Sequence, residues 1–414
     1  MTGIRAAAWL WRNRRAFGDR GGARPPRLLV DVSTIIRHDA RTGIQRVVRA
    51  VWSELSQCAG EQFEAVPVFA THHSGYCFAP PDFLQRHAAK PERRPACVRP
   101  GDKFLGLDLS AHVLPRYRRQ LRAWRANGAT IHLVAYDLLP LMRPDWFNEA
   151  TARNFANWFD VLKSDADQAL CISNQVAQDL RAKIRGTATE RNLAIGRLLL
   201  GGDIAASAPS AGMTATVSEI QNRVRFRPAI LMVGTIEPRK GYDVALAAFE
   251  HLWRTRPSDA PDLIIVGKGG WKTSGLQQRI RSHPEQGKRL HWLDEVSDEA
   301  LCQLYASSRA LLMASHAEGF GLPLIEAAMY GRPILARDLA VFREQGLPKV
   351  TYFDDDRPAA LAEKLLEVLQ PSRQTPPAKL GLPAWSDCIS PLLEEIGMAG
   401  DAAGPKSSVF MAAS

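Results

Sequence analysis

Residues 314–331 read ASHAEGFGLPLIEAAMYG, and the rest of the chain is organised around them. The apolar run 310–314 just ahead predicts a buried strand. Residues 323–330 predict a helix, since Pro323 suits a first helical position and Gly331, followed by Arg332 and Pro333, stops it. The turn between them holds Gly319 and Gly321. Glycines there let the backbone approach a ligand and aim the free N–H groups of a helix start at an anion. Glu318 lies on the turn and Glu326 eight residues later in the helix. With a phosphate at the helix start, Glu326 is placed to accept hydrogen bonds from ribose or sugar hydroxyls, and Glu318 to face the far side of the same ligand. Taken singly, each has a plainer explanation: Glu326 complements the helix dipole and Glu318 is a solvated loop acid.

Outward from this stretch the pattern alternates regularly. Apolar runs at 230–233, 263–266, 290–293, 311–314, 334–336 and 350–353 predict strands. Helical spacing occupies 242–253, 274–282, 298–307, 323–330, 339–345 and 358–369. Such alternation predicts a doubly wound parallel sheet. The first half repeats the scheme, with strands at 28–32, 64–70, 103–107, 129–135 and 168–172. Its helices are 44–56 (Ile44, Val47, Val48, Val51 and Leu55 on one face), 115–126, 145–164 and 174–183, the last capped by Ser173. Residues 71–100 are rich in Pro, His and Arg and read as an insertion with little regular structure. His72 and His73 in it are either acceptor contacts or plain surface. The expected fold class is α/β with two doubly wound Rossmann-like domains facing a central cleft. The boundaries are a basic tail at 1–26, a first domain at 27–204, a linker at 205–228, a second domain at 229–370, a return segment at 371–399 and a disordered tail at 400–414.

In parallel sheets, ligands lie beyond the C-terminal strand ends. Asp137, after the strand 129–135, is therefore placed at the cleft, to hold a sugar hydroxyl or to cap its own loop. Gly43, before the helix 44–56, would let a phosphate approach that helix start, or serves as a turn residue. The loop 267–272, GKGGWK, lies on the same edge of the second sheet. Its glycines, Lys268, Lys272 and Trp271 suit a nucleotide.

Composition narrows the partners. The 414 residues are 46% hydrophobic, enough for two substantial cores, and no apolar run approaches a bilayer span. The N-terminal stretch lacks the long apolar region of a signal peptide. Six cysteines lie far apart without a C-x-x-C pair, which fits a reducing cytoplasm and neither a zinc site nor a disulfide framework. The net charge of +10 suits nucleic acid, an anionic membrane or phosphorylated substrates, and no nucleic-acid-binding motif accompanies it. Arg116, Arg118, Arg119, Arg122 and Arg125, with Tyr117 and Trp124, fall on one predicted helix. That helix is either a membrane-attachment face or a solvated one.

Three motifs resemble a known family. E-G-F-G-L-P-L-I-E at 318–326 looks like the E-x7-E motif of retaining GT-B glycosyltransferases, family 4. V-G-T-I-E-P-R-K-G at 233–241 resembles that family's G-T-x-E-P-R-K segment, which supplies basic groups to the donor diphosphate. D-V-S at 31–33 with R-T-G-I-Q-R-V-V at 41–48 is similar to a bacterial subgroup associated with O-antigen and other surface polysaccharides. The resemblance implies a mannosyltransferase-like enzyme with an acceptor-side first domain, a nucleotide-sugar-binding second domain and a final helix at 385–396 returning to the first. It implies Glu318 on the transferred sugar, aided by the backbone near Gly319, Phe320, Gly321 and Leu322, and Glu326 on the ribose. Lys240 is the leading ligand of the diphosphate. The family often has an Arg where this chain has Gly234 and Thr235. Arg239 either turns away or, with Lys268 or Lys272, makes up for it, while Thr235 donates a single hydrogen bond. Many members carry His-Asp where this chain has Tyr136-Asp137.

The reaction that the resemblance implies is transfer of a hexose, mannose from GDP-mannose first, to a lipid-linked saccharide acceptor. No metal or cofactor is required, and the place is the inner face of the cytoplasmic membrane. The alternatives are a dTDP-rhamnose or UDP-sugar donor, a sugar-nucleotide epimerase on the same fold, and a non-catalytic module binding nucleotide sugar or polysaccharide.

Overall fold

A computed structural model describes residues 24–60, 62–85, 94–186, 192–204, 207, 209–370 and 383–398. The first sheet is built from β1 (Arg27–Asp31), β2 (Glu64–Phe69), β3 (Cys77–Phe78), β4 (Lys103–Gly106), β5 (Thr130–Ala135), β6 (Gln168–Cys171) and β7 (Ala194–Arg197). Their order is β3-β2-β1-β4-β5-β6-β7, parallel except for the short edge strand β3. The helices interleaved with them are α1 (Gly43–Cys58), α2 (Arg118–Ala126), α3 (Leu139–Met142), α4 (Glu149–Asp165) and α5 (Asn174–Ile184). Thr42 starts α1 with a capping box: its hydroxyl accepts from the Gln45 N–H, and the Gln45 side chain accepts from the Thr42 N–H.

The second domain follows α6 (Ala215–Val224). Its strands are β8 (Ala229–Val233), β9 (Asp262–Val266), β10 (Leu290–Leu293), β11 (Ala310–Met313), β12 (Ile334–Arg337) and β13 (Val350–Phe353). They are joined by α7 (Tyr242–Thr255), α8 (Ser274–Arg281), α9 (Asp298–Ser307), α10 (Leu322–Met329) and α11 (Ala340–Arg343), and closed by α12 (Pro358–Leu369). All pairs are parallel, in the order β10-β9-β8-β11-β12-β13. Ile230 and Met232 enter the core on one face of this sheet, while Ala229 and Leu231 enter the core on the other. Burial on both faces is why the strands read as continuous apolar runs.

The strand order reverses between β8 and β11 in the second sheet, and between β1 and β4 in the first. Crevices open at such reversals, because the flanking connections leave on opposite sides. The second reversal is where 314–331 and 233–241 meet.

Several expectations differ from the structure. The region 205–228 holds α6, whose Val217 and Ile220 are buried in the core of the second domain. Thr214 caps it through the Val217 N–H. Strand β7 is not evident from sequence, since Gly196 and Arg197 hide its apolar character. The predicted helix 145–164 begins only at Glu149, and the preceding Pro144–Trp146 is a separate 3-10 turn. The segment 71–100 contributes β3, and its residues 86–93 lie outside the described ones. So do 1–23, 371–382 and 399–414, which contain most of both tails. The returning helix is α13 (Ile389–Glu395). It joins the first domain's core through Ile389, Leu392 and Leu393, with Trp385 buried just before it.

Candidate active site

The two motif loops pack directly on each other. Gly241 has φ 66°, and a Cβ there would stand 2.2 Å from the Ala314 carbonyl oxygen. The His316 N–H donates to the Arg239 carbonyl at 2.7 Å. This apposition brings Glu318 onto both basic residues of the other loop. Lys240 Nζ donates to Glu318 Oε1 at 2.5 Å, and Arg239 Nη1 to Oε2 at 2.6 Å. The Ser315 hydroxyl adds a third bond to Oε1 at 2.7 Å. Burial alone would raise the pKa of Glu318, but Arg239 and Lys240 outweigh it and hold the carboxyl near pKa 2. Glu318 is thus an anion throughout the physiological range. It serves as a hydrogen-bond acceptor rather than a proton carrier.

Arg239 does not turn away. Its Nη2 also donates to Glu237 Oε1 at 3.0 Å, which spreads it between two acids. Burial raises both Glu237 and Asp137 above the usual carboxylate range, against the pull of Arg239. Asp137 reaches this cluster from the first domain, its Oδ1 accepting from the Leu139 N–H at 3.0 Å. The joint is tight: a Cβ on Gly319 would lie 2.0 Å from the Tyr136 carbonyl oxygen and 3.2 Å from Asp137 Cβ. Any side chain at 319 would push the two domains apart. The Tyr136 ring points the other way, buried, with its hydroxyl on the Leu107 carbonyl at 2.7 Å. It offers nothing in place of an imidazole at the cleft.

Glu326 sits differently from the expectation. It is buried in α10, accepting from the Tyr305 hydroxyl at 2.6 Å and from Arg46 of the first domain. Arg46 also reaches Asp298 at 3.1 Å, and Arg41 reaches the same acid at 3.3 Å. Glu326 therefore anchors a cross-domain ion-pair network. A ribose would have to share it, using lone pairs that Arg46 and Tyr305 leave over. Arg46 lies within the motif 41–48 but carried no assignment from sequence, because its partners are remote in the chain.

The remaining predicted residues are placed as follows. Gly43 begins α1, and a Cβ there would meet Leu322 at 3.7 Å. Phe320 and Leu322 pack on the first domain's core, and Gly321 precedes the start of α10. Thr235 is half-buried beside Gly234, and Lys268 is exposed. Two other side chains of the loop 267–272 reach the first domain. Trp271 Nε1 donates to the Trp146 carbonyl and Lys272 Nζ to the Asp145 carbonyl, both at 2.8 Å. That loop closes the rim against the first domain.

Acids match three of the five arginines on the basic segment 116–125. Arg118 and Arg122 both pair with Asp165, and Arg125 pairs with Asp167. Trp124 is buried in the core, and the Tyr117 hydroxyl bonds the Thr71 carbonyl. Acids on neighbouring elements take up these charges, which the sequence pattern alone does not show. Among the described residues no helix is long and apolar enough to cross a membrane.

A family model described as Glycosyl transferases group 1 matches residues 216–377, the whole second sheet and both motifs. The chain is similar to that family over these residues. It is 40% identical over 352 residues to the serotype-specific mannosyltransferase WbdA of Escherichia coli, covering 83% of this chain and 41% of that protein. It is 34% identical over 143 residues to the O-antigen chain mannosyltransferase B of Escherichia coli, covering 34% of this chain and 36% of that one. The chain spans less than half the length of the WbdA relatives it matches.

Among solved structures, it is similar to sucrose-phosphate synthase of Thermosynechococcus elongatus. The TM-score is 0.55 at 17% identity, covering 88% of this chain and 92% of that one. It is also similar to Anabaena HepE in complex with UDP and glucose, with a TM-score of 0.56 at 15% identity, covering 90% and 97%. These likenesses show the fold: two Rossmann-like α/β domains in the GT-B arrangement.

Proposed function

We propose that the chain is a retaining glycosyltransferase that moves a hexose from a nucleotide-diphosphate sugar to a saccharide acceptor. One observation carries this reading. The acid of the E-x7-E motif is held as an anion by the two basic residues of the E-P-R-K segment, at a sheet reversal, with Asp137 facing it. Cleaving a sugar from a diphosphate builds negative charge on the leaving oxygen, which the site must stabilise. Lys240 and Arg239 are the groups for this, with N–H groups at the start of α10 and the exposed Lys268 beside them. As the diphosphate enters, Lys240 Nζ turns from Glu318 to a phosphate oxygen. Glu318 is then released to accept from hydroxyls of the sugar. The leaving phosphate takes the proton of the acceptor hydroxyl on the same face, which retains configuration. These cations supply the charge a divalent metal would bring, so no metal or cofactor is required.

The donor is GDP-mannose and the acceptor a lipid-linked saccharide of O-antigen or a related surface polysaccharide. The two Escherichia coli relatives, mannosyltransferases by name, support this choice. The place of action is the inner face of the cytoplasmic membrane, touched peripherally. The net charge of +10 supports it, although the helix α2 does not. The test is a thermal-shift panel with GDP, UDP, dTDP, ADP and their sugars, since a ligand of the folded state raises the melting point by mass action. A shift with GDP and GDP-mannose alone is expected. A shift with UDP or dTDP instead would replace the sugar, and no shift with any of them would sink the enzyme reading.

A further inference from the structure

The start of α5 carries a cross-domain contact that the charged site does not include. The first N–H groups of a helix have no partner within it. In α5 the Ser173 hydroxyl accepts from the Val176 N–H at 3.0 Å, which leaves those of Asn174 and Gln175. Both are taken by Glu344 of the second domain. The Asn174 N–H donates to Oε1 at 3.0 Å and the Gln175 N–H to Oε2 at 3.1 Å. A carboxylate placed there also meets the positive end of the helix dipole, so the contact is charge-assisted. Glu344 makes no ion pair with another described residue, and each of its oxygens is given to α5.

The same short segment reaches the turn that carries Glu318. Glu344 directly follows α11, whose Phe342 is buried against Gly321: a Cβ on that glycine would lie 2.7 Å from the ring. Gln345 Nε2 donates to the Phe320 carbonyl at 3.4 Å and to the Val341 carbonyl at 3.3 Å, which ties the turn to α11. The Phe320 side chain itself packs on the first domain's core. The turn is thus held from both domains. Four residues of α11, two of them buried, separate it from the cap on α5. Close-packed side chains pass a displacement on rather than absorb it.

We infer that Glu344 is a positioning residue: by capping α5 when the domains are closed, it fixes the Phe320–Gly321 turn, and with it Glu318, for transfer. The word transfer rests on the glycosyltransferase reading, but the coupling of cap to turn does not. Closing the cleft and setting the turn are then one event. When the cleft opens, the cap is lost and α11 shifts, carrying Phe342 and Gln345 away from the turn.

Hydrogen exchange of the full chain, read by mass spectrometry in peptides 172–178 and 317–322, follows both ends. Asn174 and Gln175 lack a helical partner, so their protection reports the cap itself. Glu344→Gln keeps the shape of the side chain and removes its charge. It is expected to speed exchange about fivefold in both peptides. The kcat for transfer from GDP-mannose should fall by about the same factor. Calorimetric affinity for GDP-mannose, whose charged contacts lie in the second domain, should stay within about twofold. Gln345→Ala is expected to speed exchange in 317–322 and lower kcat while 172–178 stays protected. Unchanged exchange of 172–178 in the Glu344→Gln chain overturns the cap. Faster exchange there, with 317–322 and kcat both unchanged, makes Glu344 a plain helix cap and overturns the coupling. A parent chain that transfers no sugar removes the glycosyltransferase reading, and the two peptides still decide the coupling.

Discussion

Replacing Glu318 by Gln tests the centre of the site through stability and turnover together. In the folded chain, Arg239 and Lys240 hold this carboxyl near pKa 2, against an ordinary 4.5. That depression corresponds to about 3 kcal/mol of folding free energy. The sign follows from the direction. A folded-state pKa below the unfolded one stabilises fully above pH 4.5, and that contribution disappears as the pH falls toward 2. Glu318→Gln should therefore cost about 3 kcal/mol near neutral pH. The gap between the two proteins should shrink by about 1 kcal/mol at pH 3.5, where part of the contribution is already lost. Urea denaturation followed by circular dichroism at pH 7 and pH 3.5 measures both gaps. The same substitution removes a charged acceptor for sugar hydroxyls and should lower kcat about a hundredfold. A Gln chain as stable as the parent at pH 7, or a gap independent of pH, would refute the ion-pair argument. Unchanged turnover would refute the role in transfer.

Other outcomes rest on the same geometry. Arg46→Met leaves Glu326 and Asp298 buried without their guanidinium and should cost about 3–5 kcal/mol, with a larger radius of gyration by X-ray scattering as the domains part. Binding a dianionic diphosphate beside Asp137 and Glu237, both already raised, pushes them further up. Calorimetry in two buffers of different ionisation enthalpy should therefore show net proton uptake. Trp385→Ala should cost about 3–5 kcal/mol in a melt of the full chain, because this ring is buried in the first domain's core. Asp108 is pushed up to about 7 by burial and by Asp31, so the stability it gives at low pH is lost as the pH rises from about 3.8 to about 7. Asp108→Asn should flatten the fall in melting temperature between pH 4 and pH 7.

The second domain was largely legible because its chemistry is local. A strand, a glycine turn and a helix start succeed one another at 310–331, and hydrophobic periodicity places each. Lys240 and Glu318 were legible as a pair only because both fall after strands that flank the reversal. What escaped is what the third dimension assembles. The partners of Arg46 lie more than 250 residues away in sequence, and no periodicity reports on them. The acids opposite α2 belong to the end of α4 and the turn into β6, so the arginines alone suggested an exposed cationic face. The Ala- and Ser-rich composition around 205–216 suggested a linker, and two buried side chains, Val217 and Ile220, were enough to seat a helix just beyond it.

The join between the domains explains how the chain can carry Tyr136 where many members of the family it resembles carry His. In the structure, position 136 meets the second domain through its carbonyl oxygen, against which Gly319 leaves room for no side chain. That contact depends on backbone and on the glycine, not on what residue 136 carries. The tyrosine ring can therefore turn inward to Leu107 while Asp137 stays beside Arg239, Lys240 and Glu318. A small side chain at 319 should then do more harm than any change at 136. Gly319→Ala keeps every charged group of the site, yet it forces the Glu318 loop away from Asp137. If it leaves donor affinity and turnover intact, the two walls need not meet for the chemistry, and the case for Asp137 as a substrate contact falls with it.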